Sequence, residues 1–308
     1  MNERFNLYPL HVFLLVTRYG SVTRAAQELC ISQPAVSAHI KALEARYGEP
    51  LFERTPRGMA LTPVGDSVAR HASRLFAQIE DIEHAVKAAH GQVRGEVRIA
   101  ASSTPGAYLL PGLLRRFKER YPEAEPTLML GDSAQVLAWL YDYQVALGVL
   151  GEMPKMAAEG ELRHERIGED ELRLTTAPDN PLCQVEKIAE EHLGNQSLFL
   201  REKGSSTRAG AEKLLGDWLE KFDRVVEVTS AEAIKEAVIA GLGIAVLSSL
   251  ATRREEAGGL LGPVRDVRFR QKRSLYLVCR ADRPPVGAAE ALWTFLTSGQ
   301  GIRMKDEG

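Results

Sequence analysis

Ser21-Val22-Thr23-Arg24-Ala25-Ala26-Gln27-Glu28-Leu29-Cys30-Ile31-Ser32-Gln33-Pro34-Ala35-Val36-Ser37 is the stretch on which the fold turns. It holds two helix starts a short turn apart. Ser21 and Ser32 each precede a helical pattern, and a serine hydroxyl there accepts a bond from a first-turn N–H that otherwise lacks a partner. Pro34 is tolerated beside Ser32 because first-turn N–H groups have no intrahelical acceptor. Ala25, Ala26 and Leu29 give the first helix an apolar face, and its small alanines permit close packing. In the second helix Val36, Ile40, Leu43 and Tyr47 recur at steps of four, three and four, so they share a face. Gly48 ends it. Before both, Tyr8, Val12, Leu15 and Val16 mark another apolar helical face.

The other side of the second helix is polar. Gln33, Ser37 and Lys41 recur every four residues, with Ala35, Ala38 and His39 beside them. Short or hydrogen-bonding groups near a helix start are what a recognition helix needs to reach base edges in the major groove. A solvated polar face is the other reading of such a helix taken alone. The DNA-reading interpretation is favoured by the small-residue helix before it and by the hairpin after it, Leu51 to Thr62. Pro56 and Gly58 mark that hairpin's turn. Arg54 and Arg57 stand near its tip, as in a wing that touches the DNA backbone or minor groove.

Residues 63–92 read as one long helix, with Thr62 as its cap and Pro63 in its first turn. Val68, Leu75, Ile82 and Ala89 lie seven apart, and Ala72, Ile79 and Val86 form a second series four residues on. This is an a/d seam, which predicts pairing with a second copy of the chain. Packing on the chain's own C-terminal part is the alternative. About 28 residues make a helix roughly 42 Å long.

Composition sets wider bounds. With 308 residues, 26% charged and 44% apolar, the chain suits two or three globular domains. No run approaches the ~18 apolar residues of a membrane span, and the N-terminus lacks the pattern of a signal peptide, so a cytoplasmic location without membrane association is expected. The net charge of −2 gives no bulk attraction to nucleic acid. Residues 1–62 carry seven Lys and Arg against five Asp and Glu, so placement of cations must matter more than their total. Cys30, Cys183 and Cys279 are far apart and read as buried, reduced thiols, with a redox-sensing role as the alternative. No nucleophile elbow, P-loop, Gly-x-Gly-x-x-Gly after a strand or metal-spaced His/Cys cluster is present, so no catalytic residue, metal or cofactor is expected.

Taken together, Ser21–Leu29, Ile31–Ser37, Leu43-Glu44, Leu51-Phe52-Glu53-Arg54 and Leu61-Thr62-Pro63-Val64-Gly65 resemble the LysR-type transcriptional regulators. The resemblance implies a winged helix-turn-helix, a dimerising linker helix and a two-subdomain effector domain like a periplasmic binding protein. It also implies a tetramer of two dimers that bends promoter DNA, with RNA polymerase as a further partner. By that resemblance Thr23, Ser32, Gln33, Pro34, Ser37 and Arg54 fall at DNA-contacting positions, to which the residue reading adds His39, Lys41 and Arg57. Many members carry Arg-Gln where this chain has Ala38-His39.

The rest of the chain alternates strands and helices, which predicts parallel βαβ units. Val97–Ala101, Thr127–Leu130, Val145–Leu150, Glu171–Ala177, Ser197–Arg201, Val225–Val228, Ile244–Leu247 and Ser274–Cys279 read as strands. Tyr108–Tyr121, Ala231–Ala240 and a segment around Ala288–Leu296 read as helices. Crossovers near 168 and 270 would leave a cleft between two lobes. Loops that follow strands and open helices collect hydroxyls: Ser102-Ser103-Thr104, Asp132-Ser133, Gly204-Ser205-Ser206-Thr207 and Thr229-Ser230. Helix N-termini attract anions, and Arg201, Lys203 and Arg208 could add charge. A small anionic effector is therefore expected, with hydroxyls that merely cap helices as the alternative. The stretch from Leu198 to Arg208, with Ala231–Lys235 and Ala240–Ala245, resembles the branch of the family that regulates carbon-dioxide fixation and sulfite or cysteine metabolism. Members usually carry an acidic residue, on the cleft wall, at the place of Ala146.

The expected architecture is thus α/β with an N-terminal all-α winged helix-turn-helix. Residues 1–62 are the DNA-binding domain, 63–92 the linker helix and 93–308 the effector domain. Its first subdomain takes about 95–167 and 271–300, its second about 168–270. A metabolite-binding protein without a DNA role remains as the second reading, and it would leave residues 1–92 unexplained.

Overall fold

The structure is a computed structural model. It describes residues 6–55, 58–89, 92–152 and 160–298, with the backbone alone over 87–89. The chain forms two compact units, residues 1–83 with 142–144, and residues 84–141 with 145–308.

The first unit is built from helices α1 (Tyr8–Tyr19), α2 (Val22–Glu28) and α3 (Gln33–Tyr47). Both predicted serine caps form: Ser21 accepts from Arg24 N–H and Ser32 from Ala35 N–H, each at 3.3 Å. Gly48 ends α3 in the left-handed region, φ 74°, and its N–H returns to the Glu44 carbonyl. Val12, Phe13, Val16, Ala25, Val36, Ile40, Leu43 and Leu51 form one buried cluster. Each large apolar side chain so enclosed contributes about 1.5–3 kcal/mol. Strands β1 (Phe52–Thr55) and β2 (Gly58–Leu61) form the hairpin, with Arg54 opposite Met59. Gly58 has a φ of 126°, and a Cβ there would stand 2.8 Å from the Gly20 carbonyl oxygen. The wing is thereby pinned on the α1–α2 turn, where Met59 N–H also bonds to Gly20.

Helix α4 (Pro63–Ala89) follows, capped by Thr62, whose hydroxyl accepts from Gly65 N–H. Here the seam splits. Ala72 is buried, and Val68 and Leu75 pack on the unit's own core. Ile82 and Val86 are 65% and 57% exposed. The first turns of α4 therefore bury their stripe against the helices that precede them, and only the later turns leave it uncovered. Ile79 is half-buried, and the Ala89 side chain lies outside the described residues.

The second unit is two α/β lobes on one sheet. In the first lobe β3 (Gly95–Ser102), β4 (Ala124–Gly131) and β5 (Leu147–Leu150) run parallel. In the second, β7 (Ser197–Arg201), β8 (Arg224–Val228) and β9 (Ile244–Ser248) do the same. Two long antiparallel strands, β6 (Leu162–Thr176) and β11 (Arg270–Arg280), run through both lobes and join them, with a register shift at Leu275/Tyr276. The sequence patterns marked only part of each, because alternation breaks where a strand passes from one core to the other. A short strand, β10 (Gly262–Pro263), pairs with β6.

Helices cover both faces of each lobe. The loop expected at Ser102-Ser103-Thr104 is instead the start of a helical turn, α5 (Ser103–Tyr108), followed at once by α6 (Leu110–Arg120). Ser102 stands before it in extended backbone, and no break in the apolar pattern announces the second start. Helix α7 (Ser133–Tyr141) covers the opposite face of the first lobe, α8 (Ser206–Leu215) and α9 (Ala231–Ile239) cover the two faces of the second, α10 (Ser249–Ala257) follows β9, and α11 (Ala288–Thr297) returns to the first lobe's core. Ala146 packs against the first lobe's core, four residues before the cleft end of β5, and is not among the residues that line the cleft. Of the three cysteines expected to be buried only Cys279 is, and Cys30 is exposed.

Candidate functional site

Two surfaces emerge. The first is the exposed side of α3 with the wing. Gln33, Pro34 and Lys41 are exposed, as are Thr23 on α2, Ser32 and Arg54; Ser37 is half-buried. His39 is half-buried and stands edge-on to the Tyr8 ring, centroids 5.1 Å apart. Arg57 lies outside the described residues. Glu44 holds this surface together: its Oε1 accepts from Leu51 N–H at 2.9 Å, so α3 carries the first residue of the hairpin. The family motif includes Glu44, but a carboxylate seven residues from its partner leaves no periodic signal of that role.

The second surface is a cleft between the lobes of the second unit. It is lined by Ser102, Ser103, Thr104, Asp132, Ser133, Ser205, Ser206 and Thr207. Three of the four predicted hydroxyl loops therefore converge. The fourth does not: Thr229 and Ser230 are exposed, and Ser230 caps α9 by accepting from Ala233 N–H. The lobes nearly touch, with Thr104 Oγ1 and Thr207 Oγ1 3.5 Å apart. Asp132 caps α7, accepting from Gln135 N–H, and its other oxygen would face a Cβ on Gly204 at 3.5 Å.

The predicted cations are mostly spoken for. Arg201 is buried and grips Glu202 with two bonds of 2.7 and 2.8 Å, reaching Ser103 Oγ only at 3.4 Å. Burial works to raise the Glu202 pKa, but the Arg201 hydrogen bond, a backbone hydrogen bond and the Arg201 charge together outweigh it and hold the carboxyl below its ordinary range. Arg208 pairs with Glu212 and Glu227. Lys203 is exposed.

Sequence reasoning missed the deepest charge. Arg273 on β11 faces Asp170 on β6, and Nη2 and Nε reach the same carboxylate oxygen at 2.7 and 2.8 Å. Ser248 and Ser249 donate to the other oxygen. Nη2 also donates to Thr207 Oγ1 at 3.4 Å, on the cleft lining. The two partners lie 103 residues apart, so only the sheet brings them together.

A third cluster links the lobes at their rim. Tyr108 on α5 donates to Glu232 on α9, and Lys235, 3% exposed, bonds Glu255 at 2.6 Å and Glu232 at 3.0 Å. Desolvation, then the bond to Glu232, pushes the Tyr108 pKa up to about 12. Among the described residues no His, Cys, Asp and Glu gather in a metal-holding group, and no helix is long and apolar enough to cross a membrane.

Comparison with known proteins agrees with this division. Residues 7–66 match the bacterial regulatory helix-turn-helix protein, lysR family, and residues 90–300 match the LysR substrate binding domain. The transcriptional regulator CysL of Bacillus subtilis is 34% identical over 80% of this chain and 81% of its own length. A probable RuBisCO transcriptional regulator of Cyanidioschyzon merolae is 32% identical over 91% of this chain and 93% of its own. Both fall in the branch expected from the sequence. Among solved structures, the regulatory domain of CcmR from Synechocystis, in complex with 2-PG, superposes with a TM-score of 0.61 at 27% identity, covering 68% of this chain and 99% of that one. The chain belongs to the LysR family of bacterial transcription regulators, with a helix-turn-helix that binds DNA and an effector-binding domain behind it.

Proposed function

We propose that this chain reads promoter DNA with Gln33, Ser37, His39 and Lys41 of α3. Thr23, Ser32 and Pro34 hold the helix start at the groove, and Arg54 and Arg57 touch the backbone from the wing. Residues 1–62 act as the DNA-binding domain, 63–92 as the linker and 93–308 as the effector domain. It works as a homodimer or homotetramer in the cytoplasm, paired through the later part of the α4 seam, and contacts RNA polymerase when bound. A small anion seated between the lobes shifts the hinge strands and changes the DNA-bound form. The observation that carries the DNA reading is the exposed, short-chained stripe on a helix whose start is capped by Ser32. A small-molecule occupant of the cleft is supported by the 2-PG complex of the Synechocystis domain.

The test is a comparison of Gln33→Ala with the wild type on the chain's own upstream region and on a scrambled duplex. Loss of a base-reading side chain narrows the ratio between the two affinities by about 1–3 kcal/mol. An unchanged ratio would remove Gln33 from the reading surface.

A further inference from the structure

The start of α1 stands against the side of α3. Tyr8, the first residue of α1, lies edge-on to His39, with the ring planes at 82° and the centroids 5.1 Å apart. Aromatic rings favour that arrangement, in which the positive edge of one meets the negative face of the other. The periodicity of α1 groups Tyr8 with the buried Val12 and Val16, yet Tyr8 is 40% exposed and His39 half-buried. The pair therefore lies at the surface, on a firm base. Tyr8 N–H donates to Asn6 Oδ1 at 3.0 Å, Pro9 fixes the next φ, and Leu10, Val12 and Phe13 anchor α1 in the core of the first unit.

His39 is placed to reach outward. Among the described residues no hydrogen bond occupies its ring nitrogens. A helical side chain leans toward the helix start, over the residue four before it. For His39 that residue is Ala35, which offers only a methyl. The start of a helix that enters the major groove is the part that meets base edges. An imidazole standing alone there samples several rotamers, and a ring packed on its side removes most of them. Tyrosine does this at low entropic cost, because it has only two side-chain torsions. We propose that Tyr8 is a positioning residue of the DNA-reading surface, and that its ring fixes the His39 imidazole to donate from one nitrogen to a purine edge. That edge presents N7 in both purines and also O6 in guanine. This rests on the DNA-reading role proposed for α3, and it adds a residue from outside the two helices of the motif. The pair is particular to this chain, since many members carry glutamine where His39 stands.

The experiment is selection of duplexes from a randomised pool by the full chain, with thermal unfolding of each variant alongside. Glutamine pairs with adenine through a donor and an acceptor, so His39→Gln changes the preferred base at one position. Tyr8→Leu lowers the preference at that same position about tenfold and leaves the other positions as they were. Tyr8→Phe, which keeps the ring, restores it. A role in folding alone would lower every position together with the thermal midpoint. The assignment is overturned if Tyr8→Leu keeps the preference that His39→Gln alters, if it weakens all positions equally, or if Tyr8→Phe behaves like Tyr8→Leu. Gln33→Ala separates the two levels. If it changes the selected sequence and His39→Gln does not, the Tyr8–His39 assignment alone fails; if neither does, the reading role of α3 fails with it.

Discussion

Arg273 and Asp170 face each other across the two strands that carry the chain between its lobes, and both side chains are almost wholly enclosed, at 2% and 0% exposure. A charge pair so placed is held in one geometry by Ser248, Ser249 and Thr207. Removing one member leaves the other charged and buried. Asp170→Ala should therefore lower the stability of the effector unit by about 3–5 kcal/mol, read from its urea unfolding midpoint. Replacing both members together, with Leu and Met, recovers most of that loss. A single variant that unfolds like the wild type would show the pair to be idle.

Glu44 ties the wing to the recognition helix through Leu51, a fully buried residue. Glu44→Ala strands that N–H and costs about 1–3 kcal/mol in the N-terminal unit, while Glu44→Gln keeps an acceptor and most of the stability. Thermal unfolding of the two variants side by side distinguishes a hydrogen bond from a general effect of charge.

Arg54 stands exposed on β1 and carries no base-reading geometry. Its loss in Arg54→Ala should weaken binding to promoter and scrambled duplex alike and reduce the slope of log affinity against log salt by about 1. A slope equal to that of the wild type would take the wing off the phosphate backbone.

The rim latch predicts a pH response. Tyr108 is neutral when protonated, and its pKa is raised from 10.0 to about 12 by burial and by the bond to Glu232. A raised pKa means the native state holds the proton more tightly than the unfolded chain. The latch therefore contributes fully below pH 10 and is lost as pH climbs through 12. Tyrosinate absorbance should show one late-titrating ring that Tyr108→Phe removes. A titration identical in the two proteins would deny the latch.

Ile82 and Val86 are the uncovered part of the α4 seam. Ile82→Asp places a charge where a second copy would pack and should shift the full chain to a smaller species in sedimentation velocity at micromolar concentration. Val68→Asp, by contrast, should unfold the N-terminal unit, since Val68 packs on its own core. A wild type that sediments as a monomer at that concentration would leave the exposed stripe without its occupant.

The N-terminal unit was legible almost residue by residue because its signals are local. A cap, a four-residue repeat and a glycine stop each act within one turn of helix, and Ser21, Ser32 and Gly48 all do what their positions imply. The seam was half legible: a seven-residue period shows that a stripe must be covered, but not that the first part is covered by the chain's own helices. In the effector unit the hydroxyls of the cleft were visible because each stands where a strand ends. The charge was less legible. Arg201 and Arg208 lie beside those loops in sequence, yet Glu202, Glu212 and Glu227 hold them. Arg273 reaches the cleft only through strand pairing, and no spacing along the chain could announce it.

The account stands most directly on one measurement: the equilibrium affinity of the full chain for its own upstream region, set against a scrambled duplex of equal length in the same moderate salt. It predicts specific binding tighter by about 10³-fold or more. Equal affinities for the two duplexes would contradict it.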